Sequence, residues 1–329
     1  MLRPDAPALI LAPMEGVTDA PMRAALGTAG AFTYAVSEFL RVAHVRLPRG
    51  VILRHVPELR AGGRTPTGLP VQVQLLGGDP GLMAEAAATA VAAGAAAIDL
   101  NFGCPAPTVN KHDGGATLLR YPTRLRAIVA AVRAAVPAAV PVSAKLRLGW
   151  DRVDAVFENA AMAAEGGAAW VTVHARTRVQ GYAPPVYWPI VGRVRERLGI
   201  PVVANGDIRT VEDFRRCRDE TGCRHFMLGR GAVADPGLAA RAAAELGLAP
   251  PPPAAPIDWP AEVRRLAAWT PAAAAGGLPK RLKQWLRMAA AYGTFDRFDE
   301  VKRAGSAADI LAVLDGRTTR VLSAEHDGV

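Results

Sequence analysis

Cys104 is the residue of this sequence best placed to do chemistry. It follows the strand-compatible residues 98–100 within the segment 101–105 (Asn-Phe-Gly-Cys-Pro), where a glycine before it and a proline after it fix its direction. A thiol can hold or release a proton near neutral pH, so one fixed at the end of a strand is a candidate catalytic acid. A free cysteine is more usually a small buried hydrophobic residue, and Cys104 alone leaves both interpretations open.

Polar side chains also interrupt or follow most of the other apolar runs. Lys145 lies inside such a run and must face an opposite charge or a polar site, because burying an unpaired ammonium is costly. The tripeptide 229–231 (Gly-Arg-Gly) offers backbone N–H groups and a guanidinium to a phosphate, although a plain turn is the alternative. The other groups at or near run ends are Pro13-Met14-Glu15, Ser37-Glu38, Gln72, Gln74, Arg147, His174, Arg176 and Asn205-Gly206-Asp207.

This set of side chains suits a flavin. Lys145 would face the N1/O2 edge of an isoalloxazine ring, where reduction places negative charge. Gln74 carries the paired donor and acceptor that the amide edge of the ring requires. His174 would be a second cation or donor for the phosphate, and its alternative interpretation is a histidine satisfied within its strand. The prediction rests on the arrival of these residues at successive run ends, since no single one is specific.

The elements that must position these residues are short apolar runs separated by longer helical patterns. Runs that are apolar throughout and alternate with helices predict a parallel sheet covered on both faces. Eight such runs within about 250 residues match a (β/α)₈ TIM barrel, with a doubly wound sheet as the competing α/β fold. The predicted strands are 8–13, 32–37, 71–76, 97–101, 142–147, 170–175, 202–205 and 225–228, and the predicted helices include 80–93, 122–135, 153–165, 211–220 and 238–246.

The composition changes after the barrel pattern. Residues 250–256 form a proline-rich linker, and only helical patterns follow it. We therefore predict a flavin-binding catalytic barrel over 1–249 and a small all-helical domain over 257–329. Residues 260–295 hold six basic side chains against Glu262 alone, which predicts a local phosphate-binding face, with a solvated helix face as the alternative.

Composition also narrows the partners and the setting. The 329 residues carry a net charge of +9, which indicates a polyanionic partner, although a basic surface without a partner is the alternative. The three cysteines, Cys104, Cys217 and Cys223, have neither disulfide-framework nor zinc spacing, so we expect no metal and a reduced, cytoplasmic setting. The apolar run 8–12 is too short for a signal peptide, and we expect no membrane-spanning segment. We also expect the protein to be a monomer.

The sequence resembles the tRNA-dihydrouridine synthases, flavin enzymes that reduce uridine to dihydrouridine in tRNA. The resemblance covers the barrel and extends into the helical part. Residues 14–16, 37–42 and 281–286 look most like the bacterial C-type branch, which acts on uridine 16 of the D-loop. The motifs, in family order, are 11–19 (Leu-Ala-Pro-Met-Glu-Gly-Val-Thr-Asp), 72–75 (Gln-Val-Gln-Leu), 99–105 (Asp-Leu-Asn-Phe-Gly-Cys-Pro), 145–147 (Lys-Leu-Arg), 174–177 (His-Ala-Arg-Thr), 204–207 (Ala-Asn-Gly-Asp) and 229–231 (Gly-Arg-Gly).

The resemblance implies a cofactor, a reductant and a role for the thiol. NADPH (or NADH) would reduce FMN, hydride would pass from flavin N5 to C6 of a flipped-out uridine, and Cys104 would donate a proton to C5. The residues implied to hold FMN are Pro13, Met14, Glu15, Gln74, Lys145, His174, Asn205, Gly206, Asp207, Gly229 and Arg230. Those implied to contact tRNA are Arg41, Asn101, Arg147, Arg281 and Lys283, to which i+4 spacing on a helix adds Arg287.

Three other functions stay open at this point. Another D-loop position, for example uridine 20, would be served by a similar active site. A small-molecule FMN reductase of the dihydroorotate dehydrogenase type would use the same barrel and cofactor. The six basic side chains of residues 260–295, called here the basic stripe, and the helical domain over 257–329 argue against it. An RNA-binding chaperone for tRNA folding would not need Cys104, Lys145 or the Gly-Arg-Gly turn.

Overall fold

Eight parallel strands form a closed barrel in which each strand pairs with the next along the chain and the eighth pairs with the first. The structure, a computed structural model, describes residues 1–43, 45–110 and 114–316. Closure between the last strand and the first confirms the predicted TIM barrel and excludes the doubly wound sheet. The strands are β1 (Ala8–Leu11), β2 (Tyr34–Arg41), β3 (Val71–Leu76), β4 (Ile98–Phe102), β5 (Val142–Arg147), β6 (Trp170–His174), β7 (Val202–Asn205) and β8 (His225–Leu228).

Helices separate the strands, and polar side chains begin several of them. Asp19 and Asp79 each accept a backbone N–H in the first turn of the helix that follows, and Thr210 forms a capping box with Asp213. The helices of this part of the chain are α1 (Ala20–Gly27), α2 (Arg49–His55), α3 (Pro80–Ala92), α4 (Pro107–Asn110), α5 (Pro122–Ala135), α6 (Ala155–Glu165), α7 (Trp188–Arg197), α8 (Val211–Thr221), α9 (Arg230–Ala234) and α10 (Leu238–Glu245), with 3-10 turns at Pro57–Ala61 and Gly115–Arg120.

The strands read as continuous apolar runs because neither face of a strand meets solvent. Every residue of β1 and β3 is buried. In a barrel of this kind the helices cover the outside and side chains fill the inside, so the alternation expected of a half-exposed strand is missing. Gln72 and Gln74, which are 1% and 0% exposed, are therefore polar residues inside the barrel that require partners there.

β2 is longer than the sequence pattern predicts. The pattern ends the second strand at Ser37, but β2 continues to Arg41 and contains Glu38, so the prediction that these polar residues follow the strand is wrong. The pairing of β2 with β3 shifts register between Val36 and Phe39 before it resumes. An irregularity of this kind inserts residues into a strand without ending it, and a rule based on apolar runs mistakes it for the end.

The chain divides into two compact units. Residues 1–232 and 237–253 form the first unit, and Val233–Pro236 join the residues from Ala254 onward in the second. The predicted boundary, by contrast, placed 233–236 in the barrel domain and put a linker at 250–256. One physical reason for the difference is that the carbonyl oxygen of Val233 accepts the indole N–H of Trp285 at 2.6 Å.

The described part of the second unit is helical. Its aromatic core places the Trp259 ring edge-to-face with Trp285 at 5.7 Å and with Phe295 at 5.5 Å. Within the described ranges, no helix has the length and apolar character needed to cross a membrane. The end of the predicted domain, residues 317–329, lies outside the described residues. The helices are α11 (Trp259–Trp269), α12 (Leu278–Ala291), α13 (Phe298–Val301) and α14 (Ala307–Leu314), with a 3-10 turn at Ala272–Gly277.

Candidate active site

Three neighbours hold the turn that carries Cys104 after β4. The side-chain oxygen of Asn101 accepts the backbone N–H of Gly103 at 3.0 Å and that of Cys104 at 2.9 Å. Arg147 donates from Nε to the carbonyl oxygen of Gly103 at 2.8 Å. Gly115 packs so close that a Cβ there would lie 2.9 Å from the Cys104 carbonyl oxygen. The turn is therefore fixed by side-chain, backbone and steric contacts together.

Burial keeps the Cys104 thiol in its acid form. Desolvation raises the pKa of this half-buried thiol, and the opposing effect of the cations Arg147 and Lys145 does not cancel it. The thiol is protonated at neutral pH and has a proton to give. The other two cysteines are in the core, with Cys217 0% and Cys223 4% exposed.

A hydrogen-bonded group of buried polar side chains connects to this turn. The Asp99 carboxylate accepts the Gln74 amide N–H at 2.6 Å and the Ser143 hydroxyl at 2.5 Å. The Gln74 carbonyl oxygen in turn accepts the Asn101 amide N–H at 2.9 Å. Burial raises the pKa of Asp99 to about 6, against the lowering effects of Ser143, Gln74 and Lys145. Asp99 is therefore ionised at neutral pH and loses its charge as the pH falls through about 6.

Lys145 on β5 keeps its charge available. Its ammonium donates to the side-chain oxygen of Asn205 at 3.2 Å, and Asn205 donates to the carbonyl oxygen of Met227 at 2.8 Å. Burial and then the Arg147 charge lower the pKa of Lys145 to about 8. Lys145 is thus predominantly charged at neutral pH and loses that charge as the pH rises through about 8. Because its hydrogen-bond partner is a neutral amide, the ammonium can still attract a bound anion.

His174 ends β6 as a neutral imidazole. It is 8% exposed, and burial together with the cations Arg147 and Lys145 holds its pKa well below the usual value. Its Nδ1 atom is buried and has no hydrogen-bond partner among the described residues. A neutral ring with an unused nitrogen can serve a ligand as a hydrogen-bond donor or acceptor. The structure therefore supports the donor role expected of His174 and not the role of a second cation.

Asp207, just after β7, forms ion pairs with three arginines. Its carboxylate pairs with Arg176, which is 1% exposed, with Arg230 at 2.9 Å and with Arg209 at 3.1 Å. Burial raises the pKa of Asp207, but the hydrogen bond from Arg176 and the three positive charges outweigh it and hold this pKa below its usual range. Because Arg176 and Arg230 share one carboxylate, the cluster retains positive charge for a bound anion.

Two glycines are required by close approaches in the neighbouring loops. Gly206 has a φ of +115°, which side-chain-bearing residues rarely adopt, and a Cβ there would lie 3.3 Å from the backbone nitrogen of Ala175. A Cβ at Gly231 would lie only 2.3 Å from the carbonyl oxygen of Ile208, a backbone atom that cannot move aside cheaply. The loops after β6, β7 and β8 therefore pack backbone against backbone beside the arginine cluster.

The loop after β1 joins this group. The backbone N–H of Met14 donates to the Thr18 hydroxyl at 2.8 Å, which fixes the loop. A Cβ at Gly229 would lie 3.4 Å from the Met14 sulfur, so the loops after β1 and β8 meet. Pro13 and Met14 are half-buried, whereas Glu15 is exposed. The predicted cofactor residues at the ends of β1, β6, β7 and β8 thus lie on loops that contact one another, whereas Gln74 and Lys145 lie inside β3 and β5.

The residues expected to contact RNA from the barrel have different surroundings. Arg147 is 3% exposed and donates to the carbonyl oxygens of Thr177 and Gly181 at 3.0 and 2.8 Å. Asn101 is 8% exposed and engaged with the Cys104 turn. Arg41 is exposed at the end of β2. Arg147 and Asn101 therefore act on the protein's own loops, and a contact with RNA stays a prediction for all three.

Two of the six basic residues of the basic stripe form ion pairs, and the other four lie on one helix. Arg264 pairs with Asp315 at 2.6 Å, and Arg265 pairs with Glu262 at 2.6 Å. The remaining basic residues of the stripe are Lys280, Arg281, Lys283 and Arg287, all on α12.

The basic side chains of α12 differ in their surroundings. Lys283 donates to the carbonyl oxygen of Ala304 at 3.0 Å, and Arg281 donates to the Gln284 side chain at 3.0 Å. Lys280 and Arg287 are exposed, and their spacing of seven places them on the same face of the helix. Lys280 was not among the residues expected to contact RNA, although it shares this face with Arg287, which was.

Tyr182 lies beside the predicted site residues, although no sequence motif contains it. It lies in the loop after β6, is 51% exposed, and its ring centre lies 4.2 Å from the Arg230 guanidinium carbon and 5.3 Å from that of Arg147. The ring also meets His174 edge-on at 6.2 Å. An exposed aromatic ring held by two cations beside the arginine cluster offers a stacking surface for a planar ligand.

Solved structures share the barrel at low sequence identity. The histamine dehydrogenase of Rhizobium sp. 4-9 superposes with a TM-score of 0.57 at 13% identity and matches 80% of this chain. The match spans about half of that longer protein, 49% of its length. At this identity the likeness establishes the fold alone.

Sequence relatives establish more than the fold. The dihydrouridine synthase (Dus) family model matches residues 10–302. The tRNA-dihydrouridine(16) synthase of Shewanella oneidensis is 43% identical over 84% of this chain and 87% of its own length. Proteins of the same name from Pseudomonas putida and Neisseria meningitidis serogroup B are 50% and 43% identical over 72% and 92% of this chain, or 73% and 93% of their own lengths. The chain belongs to the dihydrouridine synthase family.

Proposed function

We propose that the protein is an FMN-dependent tRNA-dihydrouridine synthase that uses NADPH (or NADH) to reduce the C5–C6 double bond of a D-loop uridine. The observation that carries the proposal is the Cys104 thiol, which burial keeps protonated and which Asn101 fixes at the carboxyl end of the barrel. Family membership supplies the reaction class, and the thiol supplies a proton donor for it.

The residues at this end of the barrel fit FMN. His174 has an unused buried nitrogen, the arginines around Asp207 retain positive charge for a phosphate, and Lys145 carries the charge that the N1/O2 edge of the ring requires. When bound, reduced FMN supplies a hydride for C6 of the uracil. We assign FMN binding to Pro13, Met14, Glu15, Gln74, Lys145, His174, Asn205, Gly206, Asp207, Gly229 and Arg230. For Gln74 this assignment uses only the second N–H of its amide, because Asp99 accepts the first N–H and Asn101 occupies the carbonyl oxygen.

The chain's own residues then hold the base and deliver the proton. The S–H bond of Cys104 breaks, and its proton forms the new C–H bond at C5 while C6 receives the hydride, so the double bond is saturated and the base stays neutral. The positive charges of Lys145 and Arg147, which act to lower the thiol pKa, stabilise the thiolate that remains until solvent returns a proton. Tyr182 offers a face on which a flipped-out base can stack.

We infer that uridine 16 of tRNA is the target, because the relatives of 43% to 50% identity are named for that position. The net charge of +9 and the exposed cations of α12 suit a polyanion such as tRNA. Among the described residues, no group of three or more His, Cys, Asp or Glu could hold a metal ion. We propose a cytoplasmic monomer that acts without a metal.

Position-by-position mapping of dihydrouridine tests this proposal directly. The tRNA comes from a strain that lacks the gene and is complemented with the wild-type gene or with Cys104→Ala. We expect dihydrouridine 16 to be lost and to return with the wild type alone. Loss at another position such as 20 would keep the reaction and reject the position. Unchanged dihydrouridine at every position, with no second synthase present, would reject the proposal and make a small-molecule reductase the next candidate.

Removing exposed charges of α12 should weaken tRNA binding in a salt-dependent way. We expect Lys280→Ala and Arg287→Ala each to reduce the slope of log affinity against log salt by about 1, because each removes one phosphate-neutralising cation. Arg264→Ala is the matched control, since it removes a charge from the same unit that Asp315 already neutralises. Filter binding of tRNA at several salt concentrations measures the slopes. Equal slopes for all three variants would mean that α12 does not contact the phosphates.

A further inference from the structure

The buried carboxylate of Asp99 stands at one end of a continuous chain of hydrogen bonds that finishes at the Cys104 turn. Asp99 accepts from Gln74 at 2.6 Å, Gln74 accepts from Asn101 at 2.9 Å, and Asn101 accepts from the backbone N–H groups of Gly103 and Cys104 at 3.0 and 2.9 Å. Asp99 is 2% exposed, and Gln74 is 0% exposed. Water therefore does not complete these hydrogen bonds, and the Gln74 and Asn101 amides must find their partners among the protein's own groups.

The two ends of this chain fix the direction of every bond between them. An ionised carboxylate only accepts hydrogen bonds, so the amide nitrogen of Gln74 must face Asp99. The Gln74 carbonyl then faces the amide nitrogen of Asn101, and the Asn101 carbonyl faces the turn. Backbone N–H groups only donate, so the turn needs that oxygen. An amide that turned round at either position would set two donors or two acceptors against each other in a buried site, which costs about 1–3 kcal/mol per unsatisfied group.

We propose that Asp99 is a positioning residue for the proton donor, which holds Cys104 in its productive direction by orienting the side-chain amides of Gln74 and Asn101. This role depends on the proposed function, since Cys104 needs a fixed direction only if it delivers a proton. It assigns to Asp99 an effect on the reaction without contact with the substrate. Ser143 binds the other oxygen of the same carboxylate and lies outside the chain of amides.

Asp99→Asn reverses the donor-to-acceptor direction of this series of hydrogen bonds and leaves the side-chain volume nearly constant. The Ser143 hydroxyl accepts from Gln72 at 2.9 Å and donates to residue 99, so the new amide gives its oxygen to Ser143 and its nitrogen to Gln74. Gln74 then turns its own nitrogen toward Asn101, which leaves the turn without its acceptor. The double variant Asp99→Asn/Asn101→Asp restores a consistent chain in the opposite sense. Asn at 99 donates to Gln74, Gln74 donates to the carboxylate at 101, and that carboxylate accepts from both backbone N–H groups of the turn.

The rate at which iodoacetamide alkylates Cys104 in the purified holoprotein reports on the turn without any need for tRNA. Intact mass counts a single adduct, because Cys217 and Cys223 are buried. Rates are compared at their high-pH plateau, so that a shifted thiol pKa does not enter. We expect Asp99→Asn to react several-fold faster than the wild type, and both the double variant and Ser143→Ala to react at close to the wild-type rate. With tRNA as substrate, Asp99→Asn should lower kcat by about tenfold to 10²-fold at unchanged KM, as expected for a misplaced reacting group.

Three results would overturn this role for Asp99. One is an unchanged alkylation rate in Asp99→Asn. Another is an equal increase in Asp99→Asn and Ser143→Ala, which would indicate a general loosening of the barrel. The third is a double variant that reacts as fast as Asp99→Asn, which is the decisive comparison if the single variant folds poorly. If wild-type protein forms no dihydrouridine while the alkylation pattern holds, the proposed function fails and the positioning role remains.

Discussion

Cys104→Ala is expected to lower the rate of dihydrouridine formation by about 10²-fold or more, the usual contribution of a positioned general acid. The thiol is protonated at neutral pH because burial raises its pKa, and Asn101 and Arg147 hold the turn that directs it. Alanine removes the proton source and leaves these backbone contacts in place. Anaerobic reoxidation of the pre-reduced enzyme by tRNA measures the affected step, and reduction by NADPH should proceed at the wild-type rate.

Cys223→Ala is the matched control for the loss of a thiol. Cys223 is 4% exposed and lies outside the active site, just before β8. We expect this variant to keep its reoxidation rate even if its stability falls. Reoxidation of Cys104→Ala by tRNA at close to the wild-type rate would show that another group protonates C5. Slower reduction by NADPH in Cys104→Ala would indicate damage to the flavin site instead.

Glu58→Ala is expected to destabilise the protein by about 3–5 kcal/mol, because it leaves a buried guanidinium without its charge partner. The Arg23 and Glu58 side chains are 0% and 3% exposed, and Arg23 donates to both carboxylate oxygens at 2.8 and 2.9 Å. Arg23 also donates to the carbonyl oxygen of Thr18 at 2.6 Å, and Thr18 fixes Met14. The ion pair therefore supports the first loop of the active site as well as the packing of α1.

Urea unfolding of the holoprotein, followed by tryptophan fluorescence, measures the loss of stability. Glu85→Ala is the control, since it removes an exposed partner of Arg46 in a pair whose side chains are 47% and 72% exposed, and such pairs contribute only about 0–1 kcal/mol. Equal shifts of the unfolding midpoint in the two variants would contradict the stabilising role of the buried pair. We also expect Glu58→Ala to bind FMN more weakly, because Met14 lies in the loop that Thr18 fixes.

The barrel could be predicted from the sequence because its physical requirement is local and repeated. Each strand is buried on both faces, so each reads as an apolar run, and each helix between strands has its own pattern and cap. The predicted strand ends and domain boundary differ from the structure where contacts between distant segments decide the outcome. The irregularity in β2 carries Ser37 and Glu38 within the strand. Val233–Pro236 belong to the second unit, although the sequence pattern places them inside the barrel, between β8 and α10.

The sequence by itself determined the fold and the family and made Cys104 the candidate proton donor, because apolar periodicity and the glycine and proline around Cys104 act over a few residues. The tertiary structure alone decided what each polar side chain faces. Closure of the barrel brings Asp99, Gln74 and Asn101 into one series of hydrogen bonds and places the guanidinium groups of Arg147 and Arg230 near the Tyr182 ring. It also places Arg147 and Asn101 on the protein's own loops. These partners lie far apart along the chain, and spacing in the sequence carries no information about which of them meet or about the pKa values that follow from burial.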